Sequence, residues 1–345
     1  MGIGRAARRD DRRRGDVVRA LVTGGNGFIG HYIVEQLVTR GDEVRVIGRN
    51  AYPELAALGV ACFRADLTSS DVAPLQHALH SCDTVFHVAA KAGVWGAWDE
   101  YYRNNVSATQ RLVRAAVHAG VPKFIFTSSP SVVFGAESIS GADERQPYAA
   151  RYLAPYPQTK ALAERYVLQQ QEIMVTAIRP HLVWGPRDPH ILPRMIVRAR
   201  SGRLRQVGDG TNMVDVTYVE NAAEAHILAA DALHERSLVR GRAYFIGQER
   251  PVNLWQFINE VLHAVGAPPV TRRIPYPVAK RIAAMLEEAY ALLGRDEEPL
   301  LTRLTAAELA KSHWFDHSAA QRDFGYGPRI SIEEGLRRTA EAFSS

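Results

Sequence analysis

The stretch VVRALVTGGNGFIGHYIVEQLVTRGDEVRVIGR, residues 17 to 49, restricts the chain to few architectures. An apolar run from Val17 to Val22 enters a glycine cluster, after which Ile29, Ile33 and Leu37 recur at helical spacing. That reads as strand, tight turn, helix, strand. Gly24, Gly27 and Gly30 fall three positions apart across the turn. Glycines there let backbone N–H groups approach an anion at a helix N-terminus, where the dipole favours negative charge. Gly24, Gly27, Phe28, Ile29 and Gly30 are therefore the first candidates for holding a dinucleotide's pyrophosphate.

The alternation continues. VRVIGR, VACFRADL, DTVFHVAA, KFIFTSS and VTAIRP read as strands, separated by helical patterns such as NNVSATQRLVRAAVHAG. Short apolar runs of this kind indicate strands covered on both faces, hence an α/β fold with a Rossmann-type doubly wound parallel sheet. Beyond residue 180 the pattern becomes irregular, which suggests a smaller, mixed C-terminal substrate-binding region. The expected division is a disordered basic leader at 1–16, a dinucleotide-binding domain at 17–180 with 216–250 returning to it, and a substrate-binding region at 181–215 and 251–345. In the returning segment RAYFIG reads as a strand at the sheet edge, and in the substrate-binding region Asn253 reads as a helix cap.

Composition narrows the class. With 46% apolar residues in 345, the chain can bury a large core, yet no apolar run reaches the roughly 18 residues that cross a bilayer. The expected location is cytoplasmic. Cys62 and Cys82 lie in or near apolar runs, the setting of reduced, inert thiols, and neither suggests a metal site. Six arginines against three aspartates in residues 1–16 supply +3 of the formal +5 charge. The body is nearly neutral, so no nucleic-acid partner is expected.

After the second strand a dinucleotide site carries an acid for a ribose hydroxyl or an arginine for a ribose phosphate. Arg49 stands there, favouring NADP(H), with NAD(H) the alternative. Asp66 closes the third strand, within reach of an adenine amino group.

Only five lysines occur in the chain, and one of them, Lys160, follows Tyr156 by four positions in APYPQTKALAERYVL. Chance gives roughly 0.2 such pairs in a chain of this composition, so the pair needs the context of the glycine turn. Positions i and i+4 share a helix face. A tyrosine hydroxyl ionises near 10, and an adjacent ammonium would favour its phenolate and lower that value. Ser129, in FIFTSSPSV at a strand end, is the candidate for binding the reacting oxygen. Asn105 either steadies a water near Lys160 or is a structural amide.

With these residues in view, the chain resembles an extended short-chain dehydrogenase/reductase. Along residues 17 to 343 it resembles the 3β-hydroxysteroid dehydrogenase/isomerase family, in TGGNGFIG, TSSPSVVFG, PYPQTKALAE, RPHLVWGPRD and VGDGTNMVDVTYVENAAEAHILA. HVAAKAGVWG and APYPQTKA resemble 2-alkyl-3-oxoalkanoate reductases of olefin synthesis, while RPHLVWGPRDPHILP and GADERQPY also resemble sterol-4α-carboxylate 3-dehydrogenases. The resemblance implies Ser129, Tyr156 and Lys160 as the catalytic group; Asn105 is a further catalytic candidate, and Leu67, Ala89, Lys91 and Pro180 complete the expected cofactor contacts. It implies a hydrophobic 3-hydroxy or 3-oxo substrate, best a 2-alkyl-3-oxo acid reduced with NADPH. Lys91 and Arg187 are candidates for its carboxylate, and Trp95, His181 and Trp184 for the rest of the substrate site.

In residues 274–293 Ile282, Met285, Leu286, Ala289 and Leu293 form one stripe, opposite Arg281, Glu287 and Glu288. Core packing is the expectation for that stripe. A peripheral membrane or partner contact is the alternative, and a homodimer is left open. Rival functions are a nucleotide-sugar epimerase and a non-catalytic NADPH sensor. A dehydratase is disfavoured because SSPSV has no acidic residue after the serines.

Overall fold

The computed structural model describes residues 17–189 and 191–344, and the expected leader at 1–16 lies outside the described residues. In the first strand Ala20 and Val22 face one side and Leu21 the other, and all three are fully buried, so the sheet must be covered on both faces. Seven parallel strands meet that need: β1 (Arg19–Thr23), β2 (Glu43–Gly48), β3 (Ala61–Arg64), β4 (Thr84–His87), β5 (Lys123–Thr127), β6 (Met174–Pro180) and β7 (Ala243–Ile246). Their order across the sheet is β7-β6-β5-β4-β1-β2-β3. On one face Val22, Val46, Phe86, Ile125 and Ile178 pack with Ile33 and Leu37 of helix α1 (Phe28–Arg40) and with the Val219–Ala232 helix. On the other, Leu21, Ile47, Val85, Phe124 and Phe126 meet the Ala108–His118 and Pro155–Leu168 helices.

The chain winds outward from β1 through β2 to β3, then returns to place β4 on the other side of β1. This reversal opens a crevice beyond the carboxyl ends of β1 and β4, where doubly wound sheets bind ligands. Ser129 follows the carboxyl end of β5, where Lys160 donates to the Thr127 carbonyl, and Asn105 bonds the loop that follows β4. Because β3 is an edge strand, Cys62 is exposed rather than sheltered in an apolar run, whereas Cys82 is buried.

The second region is built around a four-stranded sheet ordered Val252–Asn253, Met213–Val214, His313–Phe315, Ile139–Ala142. Its core includes Trp184, Val214, Tyr218, Trp255, Phe257 and Leu262. Asn253 caps the Leu254–Ala264 helix, its side-chain oxygen accepting from the N–H groups of Trp255 and Gln256.

The Tyr276–Leu292 helix departs from the sequence expectation. Its buried residues are Ala279, Ala283 and Glu287, one per turn, while Met285 and Leu293 are 69% and 68% exposed. The reason is non-local. Two alanines admit the Arg303–Ala310 helix close by, and the Glu287 carboxylate accepts from the Arg303 backbone N–H (2.7 Å) and side chain. A charged residue is thus buried because a partner neutralises it there, and the apolar stripe is left facing outward. Among the described residues no helix is long and apolar enough to cross a membrane.

Candidate active site

The glycine turn owes its shape to close approach. Gly24 has φ +69°, and a Cβ there would lie 2.8 Å from the Ala89 nitrogen. At Gly30 a Cβ would lie 2.1 Å from the Gly24 carbonyl oxygen, so only glycine lets α1 start this near the turn. The Gly27 N–H donates to the Gly24 carbonyl (2.8 Å), and no side chain caps α1. The first-turn donors of an uncapped helix have no intrahelical acceptor, which suits a pyrophosphate. Phe28 and Ile29 open that helix, partly buried against the core on that side of the sheet.

Below the turn runs a buried hydrogen-bond chain that sequence reasoning missed. The Ala89 N–H donates to Thr23 Oγ1 (3.1 Å), Thr23 Oγ1 meets His87 Nδ1 (2.7 Å), and His87 Nε2 meets Thr109 Oγ1 (2.8 Å). The Thr109 hydroxyl then donates to the Asn105 carbonyl (2.6 Å). That direction assigns the His87 proton to Nε2 and leaves Nδ1 accepting from Thr23. Burial, and then the nearby Lys160 charge, push the imidazole down to about 3, so it stays neutral and holds the Ala89 backbone fixed. Its signal was the lone histidine in DTVFHVAA, indistinguishable in sequence from a core residue.

At the other edge of the crevice Arg49 is exposed, and its carbonyl accepts from Arg64 Nε (3.1 Å). Asp66 accepts from the backbone N–H and hydroxyl of Thr68, both 2.8 Å. The backbone bond from Thr68 is the main force holding this carboxyl below its usual range, and the Arg49 charge adds to it. Leu67 is half-buried beside it, its carbonyl accepting from Arg111 (2.9 Å).

The Pro155–Leu168 helix carries Tyr156 and Lys160 on one face. Ser129 Oγ accepts from both the N–H (3.2 Å) and the hydroxyl (2.9 Å) of Ser131, so its own hydrogen is free to turn toward the neighbouring Tyr156 oxygen. Lys160 is 3% exposed; its ammonium donates to the Thr127 carbonyl and lies 4.1 Å from the Phe126 ring centroid. Burial lowers this amine to about 7, with the Glu164 carboxylate opposing. The tyrosine departs from the sequence expectation: burial raises its phenol to about 12, and the Ser129 hydrogen bond, not Lys160, is what opposes the rise. The ammonium points toward a backbone carbonyl, and desolvation of the phenolate outweighs the lowering.

Asn105 lies on a π-helical turn, Tyr102–Ser107. Its amide is fully used: Oδ1 accepts from the Lys91 N–H (2.7 Å), while Nδ2 donates to the Lys91 carbonyl (3.0 Å) and to Thr159 Oγ1 (3.0 Å). It ties the loop after β4 to the tyrosine helix. Lys91 Nζ is engaged by Glu100 (2.8 Å), and Trp95 Nε1 donates to the Arg295 carbonyl (3.1 Å).

The remaining candidates separate. Pro180 ends β6, and His181 Nε2 is 2.6 Å from His313 Nδ1 on the second sheet. Trp184 is 2% exposed and packs edge-to-face on Tyr218 and Phe257, a core role rather than an open substrate wall. Arg187 pairs with Glu35 of α1 (2.8 Å) and stacks over Tyr32, apart from the Lys91 loop. Thus Ser129, Tyr156, Lys160, Asn105 and Lys91 form one connected group, and Trp184 and Arg187 do not join it.

A doubly wound sheet with a glycine-lined helix N-terminus at its switch point, facing a Ser-Tyr-Lys group, defines an extended short-chain dehydrogenase/reductase. Residues 21–277 match the 3-beta hydroxysteroid dehydrogenase/isomerase family, and the chain belongs to that family. It is 45% identical to the 2-alkyl-3-oxoalkanoate reductase of Stenotrophomonas maltophilia, over 93% of this chain and 98% of the relative. It is 34% identical to the human (Homo sapiens) sterol-4-alpha-carboxylate 3-dehydrogenase, decarboxylating, over 94% and 88%. Among solved structures, MoeE5 in complex with UDP-glucose and NAD superposes with a TM-score of 0.71 at 28% identity, covering 94% of this chain and 98% of that one.

Proposed function

We propose that this chain is a nicotinamide-dependent oxidoreductase that interconverts a secondary 3-hydroxyl and a 3-oxo group on a hydrophobic acid, best a 2-alkyl-3-oxo acid reduced with NADPH. The observation that carries it is Tyr156 and Lys160 on one face of a helix beside the glycine turn, with the Ser129 hydroxyl near enough to favour the Tyr156 phenolate. The fit of a dinucleotide rests on the uncapped α1 N-terminus and the Gly24 and Gly30 cradle. The bound nicotinamide supplies a hydride to the carbonyl carbon, or accepts it in the reverse direction.

This chain's residues do the rest. Ser129, held by two donors from Ser131, points its hydrogen at the substrate's C3 oxygen. Tyr156 gives its phenolic proton to that oxygen as the carbonyl is reduced. A phenol at about 12 holds that proton in the resting protein, which suits the reductive direction. Lys160, titrating at about 7, is on the same face to restore the proton, and Asn105 is a positioning residue for Lys91 and the tyrosine helix. Arg49, joined by Arg64, favours a 2′-phosphate and so NADP(H).

Residues 17–180 with 216–250 would form the dinucleotide unit and 181–215 with 251–345 the substrate unit. The oxidative sterol-acid reading shares this chemistry and is supported by the 34% identity to the human dehydrogenase. Consumption of NADPH with a 2-alkyl-3-oxo acid, abolished in Tyr156→Phe, is the expected result. Turnover unchanged in that variant would overturn the assignment, and a thermal shift with UDP-glucose but none with 2-alkyl-3-hydroxy acids would favour an epimerase. Arg49→Asp should reverse the preference for NADPH over NADH.

A further inference from the structure

One basic run stands out from a body that is otherwise nearly neutral. ILPRMIVRARSGRLRQVG, residues 191–208, holds five arginines and no acid. The Ile191–Arg200 helix buries Leu192, Ile196 and Ala199 and leaves Arg200 exposed at its end. Gly202, at φ +64°, reverses the chain there, its N–H donating to the Ala199 carbonyl (2.9 Å). The turn fixes Arg205, whose Nη1 donates to the carbonyls of Gly202 (2.6 Å) and Leu204 (3.0 Å). The next residues, Gln206–Val207, pair in parallel with Arg273–Ile274, and the Gln206 N–H donates to the Arg272 carbonyl (2.9 Å). That pairing brings Arg272 next to this turn from a distant part of the chain.

The two segments enclose a cavity of about 430 Å³, lined by Arg200, Arg205 and Arg272 together with Thr271 and an apolar wall that includes Pro268 and Pro269. No acid lines it, and no residue of the glycine turn or of the Ser129, Tyr156 and Lys160 group does. Among the described residues no carboxylate pairs with any of these three guanidiniums, whereas Arg194, on the same helix, pairs with Glu298 (2.7 Å). The carbonyls of a helix C-terminus carry about half a negative charge, enough to account for one basic residue but not for three. Like charges gathered around one cavity repel, and an anion placed among them relieves that repulsion.

We infer that this cavity is a second ligand site, outside the dinucleotide crevice, for a phosphorylated small molecule. The phosphate lies among Arg200, Arg205 and Arg272, and the organic part lies along Pro268 and Pro269. A phosphate ester offers three acceptor oxygens and about two negative charges, and guanidinium forks match those oxygens in pairs. A carboxylate, with one charge and two oxygens, would leave part of the set unanswered. The cavity is larger than the phosphate alone requires and falls within the range of small-molecule sites, about 300–1,000 Å³.

The test is calorimetry of the full chain with phenyl phosphate, using benzoate as the comparator. Wild type should bind phenyl phosphate at least about tenfold more tightly than benzoate. Arg200→Gln and Arg272→Gln should each weaken phenyl phosphate about tenfold, and Arg49→Gln, at the expected cofactor phosphate, should leave it unchanged. Arg200 and Arg272 are exposed, so both variants should unfold at the wild-type urea midpoint without ligand. The benzoate comparison needs no variant. No binding in wild type, equal affinity for benzoate, affinity unchanged by both substitutions, or binding lost in Arg49→Gln would each overturn the inference. Flotation with phosphatidylcholine vesicles carrying phosphatidic acid separates the sources of phosphate. Capture of wild type but not of Arg272→Gln, with no binding of the free ester, would overturn the inference in favour of a lipid headgroup. None of these readouts requires turnover, so the inference stands or falls apart from the oxidoreductase reading.

Discussion

Replacing Lys160 with methionine should make the protein more stable and nearly inactive. The amine sits 3% exposed between Phe126 and the Thr127 carbonyl, and burial lowers it from its ordinary 10.5 to about 7. The sign follows from proton counting. Between about 7 and 10.5 the unfolded chain binds the proton more tightly than the folded one, so stability rises with pH across that window. Below about 7 both states are protonated and the whole cost is present. At about 1.4 kcal/mol per pH unit, that drop is worth roughly 5 kcal/mol.

Methionine removes the charge, but it also leaves the Thr127 carbonyl without its donor, a loss of about 1–3 kcal/mol. The net expectation at neutral pH is a gain of roughly 2–4 kcal/mol. Urea unfolding without cofactor at about pH 7 and about pH 10, on wild type and Lys160→Met, measures it. Glu308 also changes stability with pH, but its shift runs upward from 4.5, so its contribution is lost between 4.5 and about 7, below the lysine window. The two can therefore be separated. The variant should be the more stable at about pH 7, and the gap should close toward about pH 10. A variant less stable than wild type at both pH values, with a constant gap, would refute the reasoning.

Three further outcomes follow from geometry. Gly30→Ala places a Cβ 2.1 Å from the Gly24 carbonyl and should abolish retention of NADPH in equilibrium dialysis with the fold intact by circular dichroism. Ser131→Ala removes the hydroxyl that orients Ser129; kcat should fall about tenfold with little change in KM, the loss expected of one misdirected hydrogen bond. Asn253→Ala removes the cap on the Leu254–Ala264 helix, far from the tyrosine, and should lower stability by about 1 kcal/mol with activity unchanged.

The turn, the parallel strands, the Tyr156–Lys160 pair and the Asn253 cap were legible in the sequence because each is written within a few residues. Glycine spacing, alternation, i to i+4 register and a capping side chain are local properties. Whatever depended on a partner distant in the chain was not. The outward stripe on the Tyr276–Leu292 helix could not be told from a core stripe until Arg303 was placed against Glu287. The direction of the Tyr156 shift followed from the desolvation of its phenol by the residues packed around it, not from the lysine four residues on. His87 became part of a wire only when β1 and the Ala108–His118 helix closed around it. Sequence therefore determined which elements form and which one bears Tyr156 and Lys160. Tertiary structure decided which charges survive burial beside it, because desolvation depends on everything that packs around a group and on nothing in its immediate neighbours along the chain.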